Sequence, residues 1–211
     1  MEKLKEQVLL KSKEAYAEKL FAGTSGNLSV IDREKDLVAI TPTSIPYPIL
    51  TVDDIVVIDL DGNVMDGKHR PSSEWKMHTE IYKNKPEVNA IVHTHSPNAT
   101  AFAVAHEEIP VVLIEMMFFL LGNVPLAKYA APGSKELGIN AVSAMEKRVS
   151  CLLENHGVVA VGNDLDEAYI RAVYVEDAAN IYIKSRIIGN PRIISRDEQN
   201  KMRRKMGVSE E

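Results

Sequence analysis

The stretch AIVHTHSPNAT, residues 90–100, places two imidazoles one residue apart at the end of an apolar run. On a β-strand, residues i and i+2 point to the same face. His93 and His95 therefore project side by side, Thr94 faces the other way, and Pro97 ends the strand. Such a pair is either half of a metal site or two hydrogen-bonded histidines at a strand end. A third imidazole, His156 in ENHGVVAVG, sits at a turn between two apolar runs. Zinc takes N, O or S donors in a roughly tetrahedral array, and a catalytic site keeps one position exchangeable. His93, His95 and His156 with one carboxylate or water meet that need if the fold brings them together. His69 and His106 lie in polar, turn-like contexts and read as surface residues. His78 falls in a helical segment.

Three short segments share a second chemistry: GTSGN (23–27), TPTS (41–44) and RPSSE (70–74). Each offers small residues, accessible backbone N–H groups and side-chain donors, which suit an oxyanion. Each is also an ordinary turn or cap when taken alone. No GxxxxGK[ST] or GxGxxG motif is present. Glu74 follows two serines at a helix start, with Ser72 or Ser73 as the expected N-cap. A carboxylate there is favoured in its charged form. It reads either as a partner of the helix dipole or as a base or metal ligand beside an anion seat.

The elements that must carry these residues follow from pattern. Residues 2–20 have apolar positions at helical spacing, then a glycine-rich turn leads into the strand NLSVID. LVAITP and DIVVIDLDGNVM are strand-like, the second with an Asp61-Gly62 turn signal. PSSEWKMHTEIYKNKP reads as a helix that stops before Pro86. VNAIVHTHS is a strand, SPNATAFAVAHE and GSKELGINAVSAMEKR are helices, and SCLLENHGVVAVG is a pair of strands. The last long helix opens at Asp164 and stops at Gly189 and Pro191. Strands and helices do not alternate as a clean βαβ series. The expectation is an α/β fold with a mixed or antiparallel sheet layered with helices.

Bulk properties narrow the function. A length of 211 residues fits one large domain, and 45% hydrophobic residues supply its core. A formal charge of −5 disfavours a nucleic-acid binder, and KMRRKMG near the C-terminus reads as a solvated tail. No apolar run reaches the roughly 18 residues of a membrane span. IPVVLIEMMFFLLGNV, interrupted by Glu115, reads as core or interface. The charged, amphipathic opening is a helix, not a signal peptide. One cysteine, Cys151, excludes an internal disulfide and suits a cytoplasmic location.

In their order and intervals, GTSGN, TPTS, SSE, HTH and NHG resemble the class II aldolase/adducin family, most of all its L-fuculose-phosphate aldolases. The resemblance spans about residues 3–190. It implies a three-layer α/β/α domain with a central mixed, mostly antiparallel sheet over residues 1–211, with 190–211 as a C-terminal tail. His93, His95 and His156 would hold zinc, with Mn, Co or Fe as other metals such a shell accepts. Glu74 would be the fourth ligand and the catalytic proton carrier. Gly26, Asn27, Thr43, Ser44, Ser72 and Ser73 would bind the substrate phosphate. The implied reaction is reversible cleavage of a ketose 1-phosphate to dihydroxyacetone phosphate and a small aldehyde such as lactaldehyde. The implied assembly is a homotetramer with active sites near subunit interfaces. L-ribulose-5-phosphate 4-epimerases and methylthioribulose-phosphate dehydratases share the metal shell, although the epimerase pattern has Asp where this chain has Glu74. An adducin-like module without catalysis would lack the ligands. Two positions depart from the aldolase pattern. Ser44 stands where glycine is usual, and no tyrosine follows IP at 109–110 or occurs in 183–211. Glu115 is a candidate substitute acid.

Overall fold

The computed structural model describes residues 1–207; residues 208–211 of the expected tail lie outside the described residues. Among the described residues, eight strands form one sheet in the order β4-β3-β2-β1-β5-β8-β7-β6. They are β1 (Asn27–Asp32), β2 (Leu37–Ile40), β3 (Val56–Asp59), β4 (Val64–Asp66), β5 (Ala90–Thr94), β6 (Leu126–Ala127), β7 (Ser150–Leu153) and β8 (Gly157–Gly162). Every neighbouring pair is antiparallel except β6 with β7. The helices are α1 (Glu2–Ala17), α2 (Trp75–Asn84), α3 (Pro97–Ala105), α4 (Ile114–Phe119), α5 (Lys135–Met145), α6 (Leu165–Ile188) and α7 (Arg196–Met206). The expected mixed, mostly antiparallel α/β sheet is present. The first helix ends three residues earlier than its pattern suggested, at Ala17.

Strand alternation sorts the core into layers. Ile31, Ile91, Val159 and Val161 join Met77, Ile81 and Leu137 from α2 and α5 on one face. Leu28, Val30, Ala90, Val92 and Ala160 face α1 and the start of α6 on the other. Val158 and Leu152 pack with α3, α4 and the rest of α6. Burying a large aliphatic side chain such as Ile91 contributes about 1.5–3 kcal/mol. Ala168, Ala172, Ala178 and Ala179 line the inner face of α6 and let it lie close on the sheet. Asp164 starts α6 by accepting from the Glu167 N–H at 2.8 Å. Pro97 opens α3, and the Glu176 carboxylate accepts from the Asn98 and Ala99 N–H groups there.

The C-terminal segment corrects one expectation. The basic stretch is not a solvated tail: it forms α7, whose Arg203 is 3% exposed and donates to the Leu121 carbonyl at 2.8 Å. Ile194 and Met202 pack on the α4 cluster, and the Ile194 N–H bonds to the Val111 carbonyl. Glu115 lies exposed on α4. No described helix is long and apolar enough to cross a membrane.

Candidate metal centre and active site

The sheet brings the three histidines together. β5 lies between β1 and β8, with His93 opposite Asn27 on one side and Val159 on the other. His93 shares the α2 face with Ile91, and His95 follows just past the strand end. The hairpin from β7 to β8 turns through Glu154, Asn155 and His156, and Asn155 takes the left-handed conformation at φ +53°. Its N–H bonds to Ala103 of α3, and its side-chain carbonyl meets His106 Nε2 at 2.7 Å. Gly157 completes the approach. A Cβ there would collide with the Thr94 carbonyl oxygen and reach within 3.3 Å of the His95 ring.

The ring centroids of His93, His95 and His156 lie 4.8–5.0 Å apart in edge-on arrangement. One ligand atom from each lies within 4.8 Å of the others. His93 Nδ1 donates to the Val158 carbonyl at 2.8 Å, which leaves Nε2 as a bare lone pair. That lone pair is 3.0 Å from His95 Nε2. His156 Nδ1 is buried with no hydrogen-bond partner. Burial, reinforced by His156 and His95, holds His93 well below the usual imidazole range. Burial also lowers His95, and burial with His95 nearby takes His156 down to about 4. Neutral imidazoles with converging lone pairs are the form that binds a divalent cation. The donor set fits a divalent metal ion.

Glu74 lines the same cavity but lies outside that compact imidazole cluster. It occupies the N-cap position of α2, and the Ser72 hydroxyl accepts from the Glu74 N–H at 3.3 Å. The expected serine cap is therefore displaced by two residues or one. Burial works against the charge expectation. Glu74 is 5% exposed, and burial raises its carboxyl above the usual range, with the Gly133 N–H opposing the rise. Desolvation is the larger of the two effects. Its Oε2 is buried without a partner.

Around these groups runs a cavity of about 410 Å³ lined by Gly26, Asn27, Thr43, Ser44, Ser72, Ser73, Glu74, His93, His95 and His156. All ten residues singled out in the sequence meet there. Thr24, Ser25, Pro42 and Pro132 line it too, and among the described residues no lysine or arginine does. Thr24 and Ser25 were visible in GTSGN but not chosen. Glu115 is not part of the wall. The loops are stitched in place: the Ser72 N–H bonds to the Thr41 carbonyl, and the Thr43 N–H to the Arg70 carbonyl. Gly26 has φ +81°, and a Cβ there would run into the Phe21 ring. Ser44 is held at φ +60°, a conformation glycine adopts without cost.

His78 was not assigned from sequence. It is fully buried on α2, and burial takes it down to about 3. An unfolded histidine titrates near 6.5. Above pH 6.5 both states are neutral and the folded state keeps its full stability. As pH falls from about 6.5 toward 3, the unfolded chain binds a proton that the folded chain refuses, so stability is lost. The melting temperature of the metal-free protein is expected to fall over that window. His78→Gln should shallow the slope, as thermal melts across pH would reveal. An equal slope in the variant would remove His78 from the acid response.

Known proteins give an independent view. The model of the Class II Aldolase and Adducin N-terminal domain matches residues 6–183. The chain is 36% identical to a 5-deoxy-D-ribulose 1-phosphate aldolase from Bacillus thuringiensis, over 97% of this chain and 96% of the relative. It is 37% identical to an L-fuculose phosphate aldolase from Escherichia coli, over 84% of this chain and 81% of the relative. A solved structure of an L-fuculose 1-phosphate aldolase superposes with a TM-score of 0.92 at 38% identity, covering 98% of this chain and 97% of that one. By sequence, fold and the gathering of its motifs at one cavity, the chain belongs to the class II aldolase and adducin N-terminal domain family.

Proposed function

We infer that this protein is a zinc-dependent aldolase that reversibly splits a ketose 1-phosphate into dihydroxyacetone phosphate and a small aldehyde. One observation carries the reading. Three neutral imidazoles and a buried carboxylate share one cavity with a rim of neutral donors and, among the described residues, no lysine. The absence of a lysine in the wall speaks against Schiff-base chemistry. Relatives that act on 5-deoxyribulose 1-phosphate and on fuculose phosphate share the ketose-phosphate half of the substrate and differ in the aldehyde. Acetaldehyde and lactaldehyde are therefore the first aldehydes to test.

His93, His95 and His156 would hold the metal, with Glu74 as a further ligand in the resting site. The bound ion supplies Lewis-acid polarisation of the substrate carbonyl. The remaining work falls to the chain. Backbone N–H groups and hydroxyls at Gly26, Asn27, Thr43, Ser44, Ser72 and Ser73 hold the phosphate and fix the sugar's position. In cleavage, the C3–C4 bond breaks, its electrons pass toward the C2 carbonyl, and the C4 hydroxyl gives its proton to the Glu74 carboxylate as the aldehyde forms. The Glu74 carboxyl delivers a proton to C3, and in condensation it takes that proton back. Its raised affinity for a proton suits both directions.

Ser44 tests the anion seat. Its hydroxyl lies 3.4 Å from Thr43 Oγ1 at the cavity rim. Holding a non-glycine residue at positive φ costs about 1 kcal/mol. Ser44→Gly should therefore melt no lower than the parent, while inhibition by inorganic phosphate weakens severalfold. Thermal melts and inhibition constants check both halves. Unchanged phosphate inhibition would remove the Ser44 hydroxyl from the seat.

Exposed Ile114, Phe118 and Tyr129, each more than half accessible, favour a homotetramer that covers them. A cytoplasmic location follows the same reading. The function itself is tested by a panel of sugar phosphates with added zinc, analysed for products. Triose phosphate plus aldehyde supports the aldolase. An epimeric pentulose phosphate or loss of water assigns the protein to the family's epimerases or dehydratases.

A further inference from the structure

The face of α2 that meets the sheet carries a polar chain through the core. On β1, Asn27 and Ser29 are i and i+2 and share a face; on α2, His78 and Tyr82 are i and i+4 and share a stripe. The two periods match. His78 Nε2 lies 2.5 Å from Asn27 Oδ1, His78 Nδ1 lies 2.6 Å from Ser29 Oγ, and Ser29 Oγ lies 2.7 Å from Tyr82 Oη. His78 and Ser29 are fully buried, and Asn27 is 4% exposed.

The donors and acceptors order themselves. Among the described residues, Tyr82 Oη has Ser29 as its hydrogen-bond partner, so the phenol donates to Ser29. Ser29 then donates its own proton to His78 Nδ1. The imidazole proton is thereby left on Nε2, where it bonds to the Asn27 carbonyl oxygen. An asparagine with its oxygen held turns its N–H2 edge the other way. Asn27 lines the cavity beside Ser72, Ser73 and Gly26. The alternative orientation, with the amide oxygen facing a dianion, would be repulsive.

We propose that His78 is a positioning residue for anion recognition, holding the Asn27 amide with its donor edge toward the phosphate seat while never touching substrate. The inference rests on the reading of this cavity as a phosphate seat. It makes a polar chain reaching back to Tyr82 part of substrate binding. It also explains why the core tolerates four polar side chains at this point: each is bonded, so none is an uncompensated buried group.

Two substitutions of similar character separate positioning from plain stability. Glutamine can place an N–H2 near the Nε2 position of histidine, and asparagine can reach only the Nδ1 position. On zinc-loaded protein, calorimetry with inorganic phosphate should show His78→Asn binding about tenfold or more weakly. His78→Gln should stay within about threefold of the parent, with melting temperatures lowered comparably in both. In an Asn27→Ala background, His78→Asn should cause no further weakening. Ser29→Ala, a smaller change, should weaken phosphate in the same direction and serves if His78→Asn does not fold. Equal weakening by Asn and Gln, further loss in the Asn27→Ala background, or unchanged binding in Ser29→Ala would overturn the proposal. Failure of the parent itself to bind phosphate would instead sink the phosphate-seat reading, and the role of His78 with it.

Discussion

Replacing His95 with alanine is expected to strip the protein of metal and of aldolase turnover together, with the fold intact. His95 lies just past the end of β5 and is half-buried, so its removal leaves no large core cavity. His93 stays fixed by its bond to the Val158 carbonyl, and His156 by the turn anchored on Ala103. Two imidazoles remain where three converged, and the affinity of a site falls steeply when a ligand is lost. Lewis-acid polarisation contributes several kcal/mol to the transition state. At about 1.36 kcal/mol per decade, its loss lowers turnover on the order of a thousandfold or more. Elemental analysis, thermal melting and triose-phosphate release from one preparation give all the needed readings. An active, metal-free His95→Ala protein would reject the metal assignment.

Glu74→Gln should separate chemistry from metal binding. The amide keeps the size of the carboxyl and cannot exchange a proton at working pH. The three imidazoles already form a compact ligand cluster without Glu74, so metal should stay bound. Turnover should fall by roughly 100- to 10,000-fold, the span of a lost general acid–base group. Neutralising a buried carboxyl with no partner for Oε2 relieves a desolvation penalty, so the melting temperature should hold or rise. Full turnover in the glutamine variant would exclude Glu74 as proton carrier.

The legible part of the site follows from strand geometry. His93 and His95 share a face because the side-chain period is two, and the apolar run before them marks the strand that carries them. The fold class followed from the order of elements. Other features escaped because they depend on three-dimensional context. Ser72 and Ser73 are the preferred cap types, and only the backbone path puts Glu74 in the position, where its side chain makes no capping bond. The ionisation of Glu74 depends on burial, which residue type does not reveal. Helix α7 was missed because its charge hides one apolar anchor, Met202, with Ile194 just before the helix, and because the Arg203 stem can be buried while its guanidinium finds a carbonyl. His78 carried a signal in principle. Its i, i+4 tyrosine matches an i, i+2 Asn-Ser pair, but the match has meaning only once α2 is known to cross β1.

The central claim is that these histidines hold a metal on which ketose 1-phosphate cleavage depends. Its most direct test is triose-phosphate release by chelator-stripped protein, before and after reloading with one equivalent of zinc. Stripped protein should release next to none, and zinc should restore cleavage of at least one ketose 1-phosphate. Undiminished release from protein shown to contain no metal would contradict the account.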